Sequence, residues 1–370
     1  MRHCYGWRIS SRSSGRAAIG TTKCRLQPVR PSAIVNLHIA GHQFMDSFNR
    51  RSLLALSAAL AASPVTLRAQ AAWPDRPVRI ICAFPGGSTP DLAARAIAPH
   101  LQQVLGQPVI VENRAGGGGH IGTEAVARAT DGHTLGVTIG GPGSTAKILN
   151  PALGYDPVLD LAPVSLLARL PFVLVVHPSV PAGNAAKFVA FAKANPGKIS
   201  YASTGPGTLS HLVMEDLAAS QGFEAVHVPY RAVGQAVLDL VAGRIHAFFA
   251  ATGGVLGQVR DGSVRALAVT SAERFPALPD VPTMMEAGVP SDPAIAWIGL
   301  FAPAGFPADR IARLAEETGK ALAVPDQRRT LETAGFTVVG SDTETFRALL
   351  ASDIARWGGL IRRLGLKPES

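Results

Sequence analysis

Cysteine is almost absent from this chain of 370 residues: Cys4, Cys24 and Cys82 are all it has. The first two fall in a segment read below as preceding the true start. That leaves Cys82 alone and excludes an intramolecular disulfide in the mature chain. Catalytic and metal motifs are missing too. There is no G-x-S-x-G elbow, no H-E-x-x-H and no C-x-x-C, and past residue 44 no two histidines stand four apart as a helical metal pair would. GPGSTAK lacks the spacing and the glycine-lysine pair of a phosphate-binding P-loop. Gly117-x-Gly119-x-x-Gly122 has the outline of a dinucleotide fingerprint, but no acidic residue follows at about 20 positions, Asp131 being too near.

A surplus of one charge is also lacking once position is considered. The formal net charge is +9, yet the first 71 residues carry ten basic groups against one acid, Asp46, and the remaining 299 carry 25 of each. A neutral body without basic runs between aromatics does not track phosphates, so nucleic acid is not an expected partner. Long hydrophobic runs are missing as well. Leu53 to Val65 spans 13 residues and is interrupted by Ser57, Ser63 and Pro64, whereas crossing a bilayer takes about 20 apolar residues.

That short run reads instead as the apolar core of a removable export signal. Asn49-Arg50-Arg51-Ser52-Leu53-Leu54 supplies the charged start and Ala69-Gln70-Ala71 an A-x-A cleavage site. The arginine pair also fits a twin-arginine signal, so the Sec and twin-arginine routes are both open. An export signal normally stands at the N-terminus. Met45 is therefore expected to be the true start, with residues 1–44 a gene-model extension, 45–71 the signal peptide, and the mature product in the periplasm.

From Val78 onward the order strand, turn, helix recurs, the pattern of an α/β domain with a largely parallel sheet. Residues 78–84 read as a buried strand. PGGSTPD follows as a turn, with Asp91 in the N-cap place before Leu92, Ala93, Ala96, Ile97, Leu101, Val104 and Leu105 at helical spacing, and Gly106 as the stop. Pro99 predicts a kink in this helix. Further strands are expected at 109–112, 134–139, 172–176, 199–202, 225–228, 245–250 and 264–269. Helices are expected near 123–129, 185–194, from Thr208 to Gly222, and near 234–241, 307–322, 326–334 and 343–364, the last with Ser341-x-x-Glu344 as a capping box. The strand-helix unit occurs in two blocks, which predicts two domains.

What the chain has in abundance is glycine and hydroxyl residues in turns at the C-terminal ends of predicted strands. These are PGGST at 85–89, GGPGS at 140–144 and STGPGT at 203–208. Ligands of open α/β sheets bind at that edge. Such turns are expected to leave backbone N–H groups free, and a helix N-terminus adds partial positive charge, so a small carboxylate can be held without a cation. Ser210 and His211 are neighbours on one helix and do not face each other as a catalytic pair would.

The stretches WPDRPVRIICAFPGGSTPDLAAR, LGQPVIVENRAGGGGHIG, ANPGKISYASTGPGTLSHL, HVPYRAVGQAVLDLVAG and VRALAVTSAERFPALPDVPTMMEAG, in this order, resemble the Bug family of periplasmic solute receptors of tripartite tricarboxylate transporters. The resemblance covers essentially all of 73–370. It implies a type II periplasmic-binding-protein fold, two α/β lobes joined by crossover strands, with lobe I at 72–170 plus 298–370 and lobe II at 171–297. It also implies that loops matching Pro85–Thr89 and Ser203–Thr208 pinch the ligand carboxylate, that Arg231 stands where the family often has lysine, and that Trp297 matches an aromatic near the second crossover.

Together the two readings put the ligand site on Pro85, Gly86, Gly87, Ser88, Thr89 and Asp91, on Gly141, on Ser203, Thr204, Gly205, Gly207, Thr208 and His211, and on Arg231 and Trp297. Departures from the family are Pro90 in the first loop, His246 for an acidic residue, and Ala250-Ala251 for an Asp-Asn pair. They favour a ligand with one carboxylate and an apolar or aromatic body. The expected protein is a monomer with no cofactor, no metal and no catalytic residue. Its expected partners are a small carboxylate and the membrane permease subunits of a tripartite tricarboxylate-type transporter. A signalling receptor serving a sensor kinase is the alternative, and a secreted hydrolase a more distant one.

Overall fold

The structure is a computed structural model and describes residues 73–368. The expected extension at 1–44 and signal peptide at 45–71 lie outside the described residues. Short apolar runs closed by turns form the first strands: β1 (Val78–Cys82), β2 (Val109–Asn113) and β3 (Thr134–Ile139). They pair in parallel in the order β2-β1-β3. Helix Thr89–Leu105 makes the β1–β2 connection and buries Ala93, Ile97 and Leu101 against them.

The next strand, β4 (Leu161–Val176), is 16 residues long and serves two sheets. Its expected portion at 172–176 is only the second half. The first half carries Pro163 and Pro171, which read as breakers, but the register shift beside Pro163 lets the strand continue past it. After it come β5 (Ser200–Ser203), β6 (Val226–Pro229), β7 (Ala247–Ala251), β8 (Arg265–Val269), β9 (Ile295–Pro303) and β10 (Thr337–Val338). Strand β9 lies antiparallel between β3 and the first half of β4, and β10 adds to the same half. From Phe172 onward β4 pairs with β7 and β8, while β5 stands parallel between β6 and β7.

Two sheets therefore share β4, and the chain returns to the first through β9. Thr270 ties the two crossings together on the side of the second sheet. Its N–H donates to the Phe172 carbonyl (2.9 Å), the Phe172 N–H donates to its Oγ1 (2.9 Å), and its carbonyl accepts the Ala294 N–H (3.0 Å). One core layer lies under the first sheet around Ile80, Ile97, Leu300 and Leu314, and another around Val175, Leu240 and Phe248. A third runs from Phe188 and Phe249 to Trp297, Phe301 and Phe346.

Two local expectations are corrected. Ser88, not Asp91, is the N-cap of the first helix, since Pro90 already sits in its first turn. As expected, that helix runs to Leu105 with Pro99 inside it and Gly106 as its stop. The final helix, Thr343–Leu364, is capped by Asp342, whose carboxylate accepts the Thr345 N–H (2.7 Å), rather than by a Ser341 box. Ser341 is occupied elsewhere, its Oγ accepting the Leu166 N–H of β4 (3.1 Å).

Candidate functional site

A cavity of about 430 Å³ opens between the two sheets, floored by the strands that join them: Leu170 and Phe172 of β4, and Ala296, Trp297 and Ile298 of β9. Three helix N-termini converge on it. Ser88, Thr89 and Pro90 come from helix Thr89–Leu105, Leu209 and Ser210 from helix Leu209–Gln221, and Ala232, Val233 and Gly234 from helix Val233–Val241. Each end carries unpaired N–H groups and roughly half a positive charge. Arg231 is the only ionisable side chain in the lining. It is exposed and has no hydrogen-bond or ion-pair partner among the described residues.

The remaining walls are apolar, from Phe84, Ile139, Leu209, Phe248 and Ala251. The Ser88 Oγ is buried in this lining without a hydrogen-bond partner among the described residues. A buried hydroxyl without a partner is costly, and one at a cavity edge is a donor held ready for an acceptor.

Of the residues expected from sequence, Pro85, Gly86, Gly87, Ser88, Thr89, Thr204, Arg231 and Trp297 line this cavity. Asp91, Gly141, Ser203, Gly205, Gly207, Thr208 and His211 stand behind them. Asp91 braces the first loop by accepting the Gly87 N–H (2.8 Å), the Asn113 amide (2.8 Å) and the Arg95 guanidinium (3.0 Å). Burial works to raise its pKa, but these bonds outweigh it and hold the carboxyl below its usual range.

The expectation of free N–H groups fails for the second loop, because its own side chains fold back on them. The Thr204 N–H donates to Ser210 Oγ (3.1 Å), Gly205 to Ser203 Oγ (3.0 Å), Gly207 to His211 Nδ1 (3.0 Å) and Thr208 to the Gly205 carbonyl (3.3 Å). Under the loop, His211 stacks on His227 with ring centroids 4.1 Å apart, and His227 Nε2 lies 2.6 Å from Ser203 Oγ. Burial, helped by His227, pushes His211 down to a pKa of about 3, so its ring is neutral and its Nδ1 is free to accept.

The two blocks touch backbone to backbone at Gly118 and Gly205. A side chain at Gly205, whose φ is +126°, would place its Cβ 2.8 Å from the Gly118 Cα. Only glycine permits that approach.

Sequence reasoning missed the walls. Phe172, Phe248 and Ile298 lie in apolar strands and Phe84 just past one, so they read as core, and nothing in their spacing marks which of them face a cavity. The N-terminus of helix Val233–Val241 was findable, since Arg231 had been picked out directly before it.

Two α/β sheets joined by crossing strands, with a cavity floored by those strands and faced by helix N-termini, define a two-lobed solute receptor of the type II periplasmic-binding-protein fold. The chain belongs to the tripartite tricarboxylate transporter receptor family, whose family model, TctC, described as "Tripartite tricarboxylate transporter family receptor", matches residues 93–366. Family members are receptors, not enzymes. The protein BugT of Bordetella pertussis is 36% identical over 297 residues, 80% of this chain and 91% of BugT. A solved structure of an R. palustris protein with adipate is 31% identical at a TM-score of 0.75, covering 80% of this chain and 100% of that one. MatC of Rhodopseudomonas palustris, solved with bound malate, is 32% identical at a TM-score of 0.73, covering 78% and 100%.

Proposed function

We propose that the chain is a periplasmic receptor whose lobes, 72–170 with 298–370 and 171–297, close on a small carboxylate and pass it to the permease subunits of a tripartite tricarboxylate-type transporter. The observation that carries this is the convergence of three helix N-termini and the unpartnered Arg231 on one cavity. Such an arrangement attracts an anion without needing a fixed ion pair. Ser88, Thr89, Thr204 and Arg231 meet the carboxylate, while Asp91, Ser203, Thr208 and His211 hold the loops that present them. The adipate and malate of the two relatives support the anion class.

The walls argue for the rest of the ligand. Phe84, Phe172, Phe248 and Trp297 offer ring faces, and Ala251 a methyl, where a second carboxylate would find no cation. One carboxylate on an apolar or aromatic body fits best.

Thermal unfolding of the chain with adipate, malate, citrate, benzoate and amino acids tests this. A ligand at about 1,000 times its dissociation constant stabilises by about 4 kcal/mol and moves the midpoint by several degrees. A shift from benzoate larger than that from citrate is expected. No shift from any carboxylate, in protein shown by native mass spectrometry to be ligand-free, would sink the proposal.

A further inference from the structure

We infer that Asp353 is a positioning residue of the cleft: its carboxylate fixes the Trp297 indole in the floor. The inference rests on the receptor reading above and adds to it a residue that no ligand touches.

Asp353 lies mid-way along the C-terminal helix, is 8% exposed and has no ion-pair partner among the described residues. Taking a carboxylate out of water costs several kcal/mol unless donors replace the water. Here two donors converge. The Trp297 indole N–H, from β9, donates to Oδ2 (2.8 Å), and the Trp357 indole N–H, from the next helical turn, donates to Oδ1 (3.0 Å). An amide in place of the carboxylate would turn an NH2 group toward one of these donors.

The anchor also decides which lobe Trp297 moves with. On the far side, Thr270 clamps Ala294 and Phe172 to the second sheet. Only Ile295 and Ala296 separate the two anchors in the return strand, and Ile295 pairs with Pro171 in β4. Bending is thereby confined to these residues, and Trp297 travels with the first sheet.

Burial raises the Asp353 pKa to about 6 against the bonds from Trp297 and Trp357, the nearby Arg356 and Ser144. The other ionisable groups lining the crevice beside it are Arg356, from its own helix, and Arg169, from β4. A guanidinium is not deprotonated in proteins, so a titration near neutrality reports Asp353.

The test uses the full chain, ligand-free, with 15N in the tryptophan indoles, from pH 8 to 5. Trp297→Phe and Trp357→Phe assign the indoles. The Trp297 and Trp357 indole signals are expected to move together with one midpoint at about 6, and Asp353→Asn should abolish the movement. At pH 8 the same variant should bind adipate or benzoate about tenfold more weakly in calorimetry. Movement of Trp357 alone, with Trp297 still, would show a carboxylate that merely braces its own helix and would overturn the inference. Unchanged affinity in Asp353→Asn would do so as well. If that variant fails to fold, the wild-type titration decides. If neither acid binds the wild type, the carboxylate reading falls while the titration still settles this one.

Discussion

The loops at 85–89 and 203–208 are written in nearly the same letters. Each leaves the C-terminal end of a strand, is rich in glycine and hydroxyl residues, and runs into a helix. In the first, Asp91 braces the backbone from behind and the Ser88 hydroxyl is left without a partner at the cavity. In the second, every available N–H from Thr204 to Thr208 is taken by Ser203, Ser210, His211 or the loop's own carbonyl. One loop is built to present groups and the other to be stiff. A closing receptor gains from both, since a rigid wall lowers the ordering cost of capture and an unsatisfied donor supplies the attraction.

The largest expected effect that separates the two blocks is their response to acid. His211, under the stiff loop, has a folded pKa of about 3, below the roughly 6.5 of an unfolded chain. Its contribution is therefore intact above pH ~6.5 and drains away as pH falls toward the folded value. Asp353, on the C-terminal helix, is raised to about 6, above an unfolded value near 3.9. Its burial costs most above pH ~6 and is relieved as pH falls toward 4. Urea unfolding at pH 7.5, 6 and 5 should show His211→Phe less stable than wild type at pH 7.5 but losing much less on acidification, and Asp353→Asn losing more. Equal slopes in all three proteins would break the contrast.

A second, smaller difference concerns two serines. Ser203→Ala strands the Gly205 N–H and takes a bond from His227, and should cost about 1–3 kcal/mol in urea unfolding. Ser88→Ala leaves no internal donor stranded, so stability should stay within about 0.5 kcal/mol while adipate or benzoate binding weakens in calorimetry. The reverse pattern would mean that the loops had been assigned the wrong roles. Smallest is Arg231→Ala. An exposed cation should change affinity only a few-fold, mainly in the association rate measured by stopped flow, and the effect should fade in high salt.

Much of the architecture was legible before any coordinates. Helices at 185–194 and 343–364 lie where apolar spacing and flanking residues placed them, because both signals are local. The loop chemistry was legible as to place and wrong as to availability. Glycines predict free N–H groups only if neighbouring hydroxyls and histidines stay out of the way, and Ser210 and His211, one helical turn on, do not. Strand β9 and the first half of β4 went unassigned from sequence; Pro163 and Gly299 weaken their strand signal, and pairing with neighbouring strands offsets it. The Asp353–Trp297 bond joins residues 56 positions apart and leaves no periodic trace.

Strand β9 also governs when the molecule can assemble. It fills the slot between β3 and β4, yet it follows them by more than a hundred residues. A nascent chain ending before Ile295 has both strands made, with facing edges and nothing to put between them. Pairings over such distances are slow to form. The first sheet must therefore wait for the second to be synthesised, and its closure is expected to be a late step of folding, with those two edges in need of protection meanwhile.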